Sequence, residues 1–434
     1  LGPAAGSQRS GRSSEDPPRD VDGSPLCVVV FHLDFHIESQ VSVSIFDKCL
    51  NFTRLDEVRG AGLFPYFHPI AASHGGTEVT IEGRRMVMIG SNNYLGLTHH
   101  PRVQEAAQKA VRDFGSGCSG SRFLNGTLEM HHQLEAELAD YFGMEAALVF
   151  STGFQTNLGV LSVLAGKDDL IFCDRENHAS IYDGSRLSFA QVKKYRHNDM
   201  ADLERLLRET PPERNKLIVT DGVFSMLGDV CPLPRMRELA DQYGAEILVD
   251  DAHGVGVAGR QGRGTVDHFG VDVELITGTF SKSLASLGGF VVGPKKVIEF
   301  VQIHARAMVF SAAITPANTA SALTALRVMR EEPEHHARLL ENLEFMREGF
   351  RGLGYEVEDH PSAIIPLPVG EDANTFLMWK KLFDNGVFVN AVIPPAVPPG
   401  GSLLRTSYMA SHSREQLERA LDVFARIGKE LPVS

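Results

Sequence analysis

AEILVDDAHGVG, residues 245–256, and VELITGTFSKS, residues 273–283, decide the fold. Each opens on a short apolar run and ends abruptly in polar groups: Asp250, Asp251 and His253 in the first, Thr279, Ser281 and Lys282 in the second. A strand with one wet face alternates apolar and polar residues, whereas an unbroken apolar run suits a strand covered on both faces. Comparable runs recur at AALVF (146–150), DLIFC (169–173), KLIVT (216–220) and GGFVV (288–292), and the more polar QVKKY (191–195) is read as a strand with them. Amphipathic helical stretches such as MADLERLLRE (200–209) and LPRMRELADQYG (233–244) lie between several of them. This succession predicts an α/β fold, a mostly parallel seven-stranded sheet covered by helices. Ligands of such sheets sit beyond the carboxyl ends of the strands, so the polar residues there are the candidates for chemistry.

Outward from this core, TEVTIEGRRMVMIG (77–90) alternates around Glu82-Gly83 and predicts a hairpin in a small N-terminal domain over 46–92. PRVQEAAQKAVRDFG (101–115) sets Val103, Ala107, Ala110, Val111 and Phe114 on one helical face, with Gly115 as the stop, near the start of a large domain over 93–312. After about Phe310, long amphipathic helices (335–354 and 374–386) and the short strands AIIPLPV and SLLRTSY predict a separate C-terminal α+β domain over 313–434. Its last helix opens on a capping-box pattern from Ser413 to Gln416. Residues 1–45, rich in Ser, Gly, Pro and Arg at first, are expected to be a disordered or appended leader.

Composition narrows the function. With 43% hydrophobic and 22% charged residues, the 434-residue chain is of ordinary globular type. A formal net charge of −13 argues against binding nucleic acid or an anionic membrane through a basic face. Five cysteines, scattered without metal-type spacing, predict reduced thiols in a cytoplasmic protein, with neither a disulfide framework nor a zinc site. The apolar run Leu26–Leu33 is too short to span a bilayer, and the acids before it (Glu15, Asp16, Asp20, Asp22) do not fit a signal peptide.

KLIVT runs into Asp221 and, four residues on, Ser225; DLIFC runs into Asp174 and, four residues on, His178. Singly, each polar residue has an ordinary reading: a turn-forming aspartate, a hydrogen-bonded histidine, a solvated lysine. Four strands that deliver acids, hydroxyls, imidazoles and one lysine to the same edge point instead to chemistry. A lysine behind an apolar strand is desolvated, which lowers its pKa and frees the amine for Schiff-base formation. Pyridoxal 5'-phosphate (PLP) uses such an amine, and needs a carboxylate at its ring nitrogen, a planar group against its ring and donors for its phosphate. Asp250, His178 and the hydroxyls of Thr279 and Ser281 meet those needs. The backbone of Ser151 to Phe154, ahead of the helical stretch 154–166, adds a helix N-terminus for the phosphate.

Two rival motifs lie in the same segments. GVGVAG (254–259) fits the dinucleotide pattern G-x-G-x-x-G, and a nucleotide-binding protein built on it is the alternative from a different class. The residues that follow, RQGRGTVDHFG, carry too many glycines to open the helix this fingerprint requires. Gly278 to Ser283 resembles a P-loop only in its Lys-Ser ending.

Together, SNNYLGL, SGSRFLNGT, DRENHASIYDG, TDGVFSM, DDAHGVG and TFSKSLASLGG resemble the α-oxoamine synthase family, PLP-dependent enzymes of fold type I. The likeness runs from about Phe46 to the C-terminus, in family order and spacing, and departs at Asp251, where the family usually has Glu. The resemblance implies that Lys282 carries the cofactor, with Asp250 at the pyridinium nitrogen and His178 stacked on the ring as the other catalytic groups. It puts His253, with Ser225, at the phenolic oxygen, and Thr279, Ser281 and the backbone of Gly153 and Phe154 at the phosphate. Arg405 matches the family arginine for the substrate carboxylate, with Asn93 and His178 also on the substrate side. Ser311 and Ala312, in FSAAITP, match a stretch that reaches the partner subunit's phosphate, which implies a homodimer with its active site at the interface. Family members condense glycine, alanine or serine with an acyl-CoA and lose carbon dioxide. FDKCLNFTRLDEVRGAGLFPYFHPI and VIPPAVPPGGSLLRTS look most like the branch that takes L-serine and a long-chain acyl-CoA, with glycine- or alanine-using relatives as the alternative.

Overall fold

The computed structural model describes residues 44–430, so the apolar run 26–33, Cys27 and nearly all of the expected leader lie outside the described residues. Residues 44–51 belong to one compact unit, which contributes the short helix Asp47–Leu50; residues from Phe52 onward form a second, which carries three sheets.

In the second unit, β1 (Ile70–His74), β2 (Glu78–Ile81) and β3 (Arg84–Met88) pair antiparallel, and β2 turns into β3 at Glu82-Gly83 as the alternation predicts. The next seven strands are those read from the apolar runs: β4 (Ala146–Phe150), β5 (Leu170–Asp174), β6 (Gln191–Tyr195), β7 (Lys216–Asp221), β8 (Glu246–Asp250), β9 (Leu275–Thr279) and β10 (Gly289–Gly293). They form one sheet in the order β4-β10-β9-β8-β7-β5-β6, parallel except that β10 runs against both its neighbours. Of the last strands, β11 (Ile364–Gly370), β12 (Val387–Phe388), β13 (Asn390–Val392) and β14 (Ser402–Ser407), three make an antiparallel sheet in the order β11-β14-β13. The fourth, β12, pairs parallel with β3 and so ties the early hairpin to the C-terminal residues.

Successive side chains of a strand point to opposite faces, and here both faces are packed. Leu170 and Phe172 of β5 join Ile218, Ile247, Val249 and Ile276 in one core, while Ile171 and Cys173 join Val219, Leu248, Leu275 and Val291 in the other. The unbroken apolar runs follow from this double burial, since each large side chain so removed from water contributes about 1.5–3 kcal/mol. The closing helix, Arg414–Glu430, begins as its sequence predicts: Gln416 N–H donates to Ser413 Oγ (3.2 Å), and Ser413 N–H to Gln416 Oε1 (3.0 Å).

GVGVAG is followed only by the three-residue 3-10 helix Arg260–Gly262 and the short helix Thr265–Phe269, and its first glycine has a packing reason. Asp251 is fully buried, accepts from the Thr265 N–H (2.7 Å) and hydroxyl (2.6 Å), and has its pKa pushed up to about 6 by burial. A Cβ at Gly254 would collide with Asp251 Oδ1 and stand 2.5 Å from Thr265 Oγ1, so the backbone passes this acid only without a side chain. Gly254→Ala is therefore expected to destabilise the protein by about 1–3 kcal/mol. The measurement is a lower urea midpoint at unchanged slope, and an unchanged midpoint would show that the turn has room to spare.

Candidate active site

The carboxyl ends of the parallel strands and the start of helix Gly153–Leu164 enclose a cavity of about 280 Å3. Register decides which groups meet there: Asp221 of β7 lies beside Asp250 of β8, and Asp250 beside Thr277 of β9. Two buried acids on adjacent strands repel each other when both are charged. Burial, and then the neighbouring Asp250, hold the Asp221 carboxyl well above the usual range.

Asp250 is 5% exposed and is held from two sides. Its Oδ2 accepts from Asn157 Nδ2 (2.6 Å) and its Oδ1 from the Ala252 N–H (3.1 Å). Asn157, on the first helix of the cavity wall, also donates to Ser180 Oγ (2.8 Å) and accepts from Thr277 Oγ1 (2.9 Å). One buried amide thus locks the acid to two neighbouring elements.

His178 caps the N-terminus of helix Ala179–Leu187. Its main-chain N–H donates to Asp221 Oδ2 (2.7 Å), and its ring Nδ1 lies 2.7 Å from Ser180 Oγ, which fixes the ring at the cavity wall. Burial lowers its pKa against the pull of Asp250, leaving a neutral imidazole at neutral pH. His253 is buried across the cavity, its Nδ1 2.6 Å from the Tyr94 hydroxyl, and is held well below the ordinary histidine range by burial and then by Lys282 and Arg405.

Lys282 reaches into the cavity from the turn after β9. Burial pushes its pKa down to about 8; Asp250 and Asp221 pull it back up, and Arg405 adds to the lowering. Near pH 8 about half of such amines are neutral, against well under one per cent at an ordinary lysine value. Thr279 and Ser281 share a hydrogen bond (2.8 Å) in the same turn, and Thr279 Oγ1 also donates to the Gly288 carbonyl (3.0 Å). These hydroxyls face the helix start so closely that a Cβ at Gly153 would stand 2.9 Å from Thr279 Cβ. The helix cap, Thr152, accepts from the Gln155 N–H (3.0 Å), while the amides of Gly153 and Phe154 are among those that a helix leaves without an internal partner.

The cavity wall therefore brings together Lys282, Asp250, His178, His253, Gly153, Phe154, Thr279 and Ser281 of the residues singled out from sequence. The others stand outside it. Arg405 is buried on β14, where Nε donates to the Ser225 carbonyl (2.6 Å) and Nη2 to Asn92 Oδ1 (3.0 Å), so Ser225 joins through its main chain. Asn92 Oδ1 also accepts from the Tyr94 hydroxyl (3.1 Å), which links Arg405 to His253. Asn93 turns to Thr98 instead, its Nδ2 donating to Thr98 Oγ1 (2.8 Å). Ser311 Oγ accepts from Gln155 Nε2 (3.1 Å) and the Ala312 carbonyl from the Ser151 hydroxyl, so both lie against the helix start from outside the cavity.

Asn157, Asp221, Tyr94 and Asn92 were given no role from sequence. A polar Asn157 inside an otherwise apolar helical stretch, and Asp221 at the end of one of the four converging strands, were the available signals.

The donor set fits PLP. Paired hydroxyls and a helix N-terminus in close contact suit a phosphate, a buried acid suits a protonated ring nitrogen, a neutral imidazole can lie against the ring, and the amine is of lowered basicity. Fold and site together define a PLP-dependent transferase of fold type I.

Comparison with known proteins agrees. The model of the family described as aminotransferase class I and II matches residues 84–424. A serine palmitoyltransferase of Sphingobacterium spiritivorum is 49% identical over 389 residues, 89% of this chain and 97% of the relative. An 8-amino-7-oxononanoate synthase of Exiguobacterium sibiricum is 45% identical over 382 residues, 87% of this chain and 97% of the relative. Among solved structures, a serine palmitoyltransferase variant from S. paucimobilis with a bound PLP–myriocin aldimine matches with a TM-score of 0.86 and 36% identity, covering 89% of this chain and 98% of that one. The chain belongs to the α-oxoamine synthase family of PLP-dependent enzymes, within the class I and II aminotransferases.

Proposed function

We propose that this chain is a serine C-palmitoyltransferase that joins L-serine to the acyl group of palmitoyl-CoA, releasing CoA and carbon dioxide and giving 3-ketodihydrosphingosine. One observation carries the chemistry: a desolvated amine, Lys282, set among Asp250, Asp221 and Arg405. The likeness to serine palmitoyltransferases carries the substrates, at 49% identity against 45% for the oxononanoate synthase.

When bound, PLP supplies an aldehyde for an amine to capture and a ring that takes up the electron pair freed at the substrate's Cα. Asp250 would hold the proton of the ring nitrogen, His178 would pack against the ring, and His253 and Ser225 would serve the phenolic oxygen. Thr279, Ser281 and the amides of Gly153 and Phe154 would hold the phosphate. Lys282 Nζ, as a free amine, would remove the Cα proton, and a pKa of about 8 suits both states of that amine. Arg405 would supply the positive charge for the serine carboxylate, assisted by His178. The serine Cα bonds to the thioester carbonyl carbon, the C–S bond breaks, and CoA leaves as the thiol. The bond from Cα to the carboxylate then breaks, carbon dioxide departs, and a proton returns to Cα.

The same reading makes the enzyme a cytoplasmic homodimer in which Ser311 and Ala312 serve the partner's phosphate. Phe310 (76% exposed) and Leu124 (78% exposed) support it as apolar surface for a partner to cover, since Ser121 and Ala312 bridge their two segments. Among the described residues no helix is long and apolar enough to cross a membrane.

The test crosses serine, glycine and alanine with short and long acyl-CoAs and scores thiol release and product mass. Serine with palmitoyl-CoA is expected to give the highest kcat/KM by at least about tenfold, the discrimination that a polar contact to the serine hydroxyl provides. Preference for alanine with a shorter acyl chain would transfer the assignment to the oxononanoate synthase branch.

A further inference from the structure

We propose that His100, Glu332 and His335 form a zinc-binding clip outside the cofactor cavity. His100 Nε2 and His335 Nε2 each lie 3.2 Å from the same carboxylate oxygen, Glu332 Oε2, and the possible ligand atoms of the three residues all lie within 4.8 Å of one another. Zinc bonds of about 2.0–2.1 Å at tetrahedral angles put neighbouring ligand atoms about 3.3–3.4 Å apart. Two edges of the triangle are therefore already close to the length that a bound ion requires.

Ligand chemistry selects the ion. Two imidazoles and one carboxylate suit zinc, whereas magnesium and calcium take oxygen ligands only, and a three-residue set leaves a fourth position for water. Glu332 is oriented from behind: Arg102 Nη1 donates to its other oxygen, Oε1, at 2.7 Å, which leaves Oε2 turned to both histidines. Hydrogen bonds to the non-ligating atoms of a metal-binding side chain orient it in this way. Arg102 also donates to Glu331 Oε2 (2.6 Å), so its charge is shared between two acids.

His100 Nδ1 is buried and has no hydrogen-bond partner among the described residues, so the ring's hydrogen bond runs through Nε2, the nitrogen that faces Glu332. The three side chains are 16%, 25% and 20% exposed, shielded enough for an ion to displace little bulk water and open enough for it to enter.

The place in the fold gives the clip its role. His100 precedes helix Pro101–Phe114, Glu332 follows helix Pro316–Glu331, and His335 lies in the first turn of helix Glu334–Gly352. One ion would fasten the start of helix Pro101–Phe114 to two helix ends that begin 232 residues further along the chain. Cysteine spacing in the sequence speaks only to thiolate sites and is silent on a set gathered from such distant histidines and a glutamate.

The experiment uses the full-length, PLP-loaded protein, stripped with a chelator and titrated with zinc chloride against a chromophoric competitor. One zinc per chain is expected at micromolar or tighter affinity, with a rise in Tm. His335→Ala and Glu332→Gln should each weaken binding at least about tenfold and abolish that rise. Far-UV circular dichroism and cofactor absorbance of the variants report that they are folded and loaded, so that lost binding reads on the clip. Failure of the wild type to bind zinc at micromolar concentrations, or wild-type affinity in both variants, would overturn the proposal.

Discussion

Replacing Lys282 with alanine is expected to cut turnover at least about a thousandfold, because one amine both captures the cofactor and moves the substrate proton. The wild-type protein should be yellow, and borohydride followed by peptide mass mapping should place a pyridoxyl group on Lys282. The variant should lose that covalent label. The pH dependence follows from the same amine. Its pKa is held down to about 8, chiefly by burial, and only the neutral form adds to an aldehyde. Capture of PLP by cofactor-free protein should therefore quicken as pH rises and level off above about 8. Stopped-flow absorbance with a midpoint near the ordinary lysine value would show that the amine is not desolvated, and a label on any other lysine would remove Lys282 from its role.

Asp250→Asn is expected to lower kcat about a hundredfold or more while cofactor still binds. The substitution keeps size and can still accept from Asn157 Nδ2, but it removes the anion that holds a proton on the ring nitrogen. Asp221→Asn supplies the contrast. Burial and the nearness of Asp250 disfavour the charged form of Asp221, and its structural task is to accept the His178 N–H. An amide is neutral and can accept the same bond, so turnover should fall less than about tenfold. Steady-state kinetics on both variants, with the visible band as a check on cofactor content, separates the two acids. Equal losses would mean that the charge is shared between them, and near-normal turnover in Asp250→Asn would end its electrostatic role.

The sheet was legible because its physical cause is local. Ile171 and Cys173 face one core and Leu170 and Phe172 the other, so four successive residues of the strand are apolar and the run stands out from the sequence around it. The polar residues at the strand ends were legible for the same reason, since each interrupts such a run. Neighbour relations were not. Asn157 reads as one polar residue in a helical stretch, and only the approach of that helix to β8 and β9 makes it the clamp on Asp250. Asn92 and Asn93 are adjacent and identical in type, and the path of the chain into Tyr94 decides that Asn92 meets Arg405 while Asn93 turns to Thr98. The glycines after His253 match half of a nucleotide fingerprint in sequence, and only the structure shows that the buried Asp251 requires the first of them.

By itself, the sequence determined the α/β class, the strands and the polar residues at their ends, and, through the resemblance of its motifs, the family. Periodicity and motif order are properties of the chain and need no partner to be read. Tertiary structure decided the strand order, the antiparallel placing of β10, the register that sets Asp221 against Asp250, and the burial that brings Lys282 to a pKa of about 8. These depend on which surfaces exclude water from one another. A pKa or a clamp is a property of that exclusion, and residues far apart in the chain supply it.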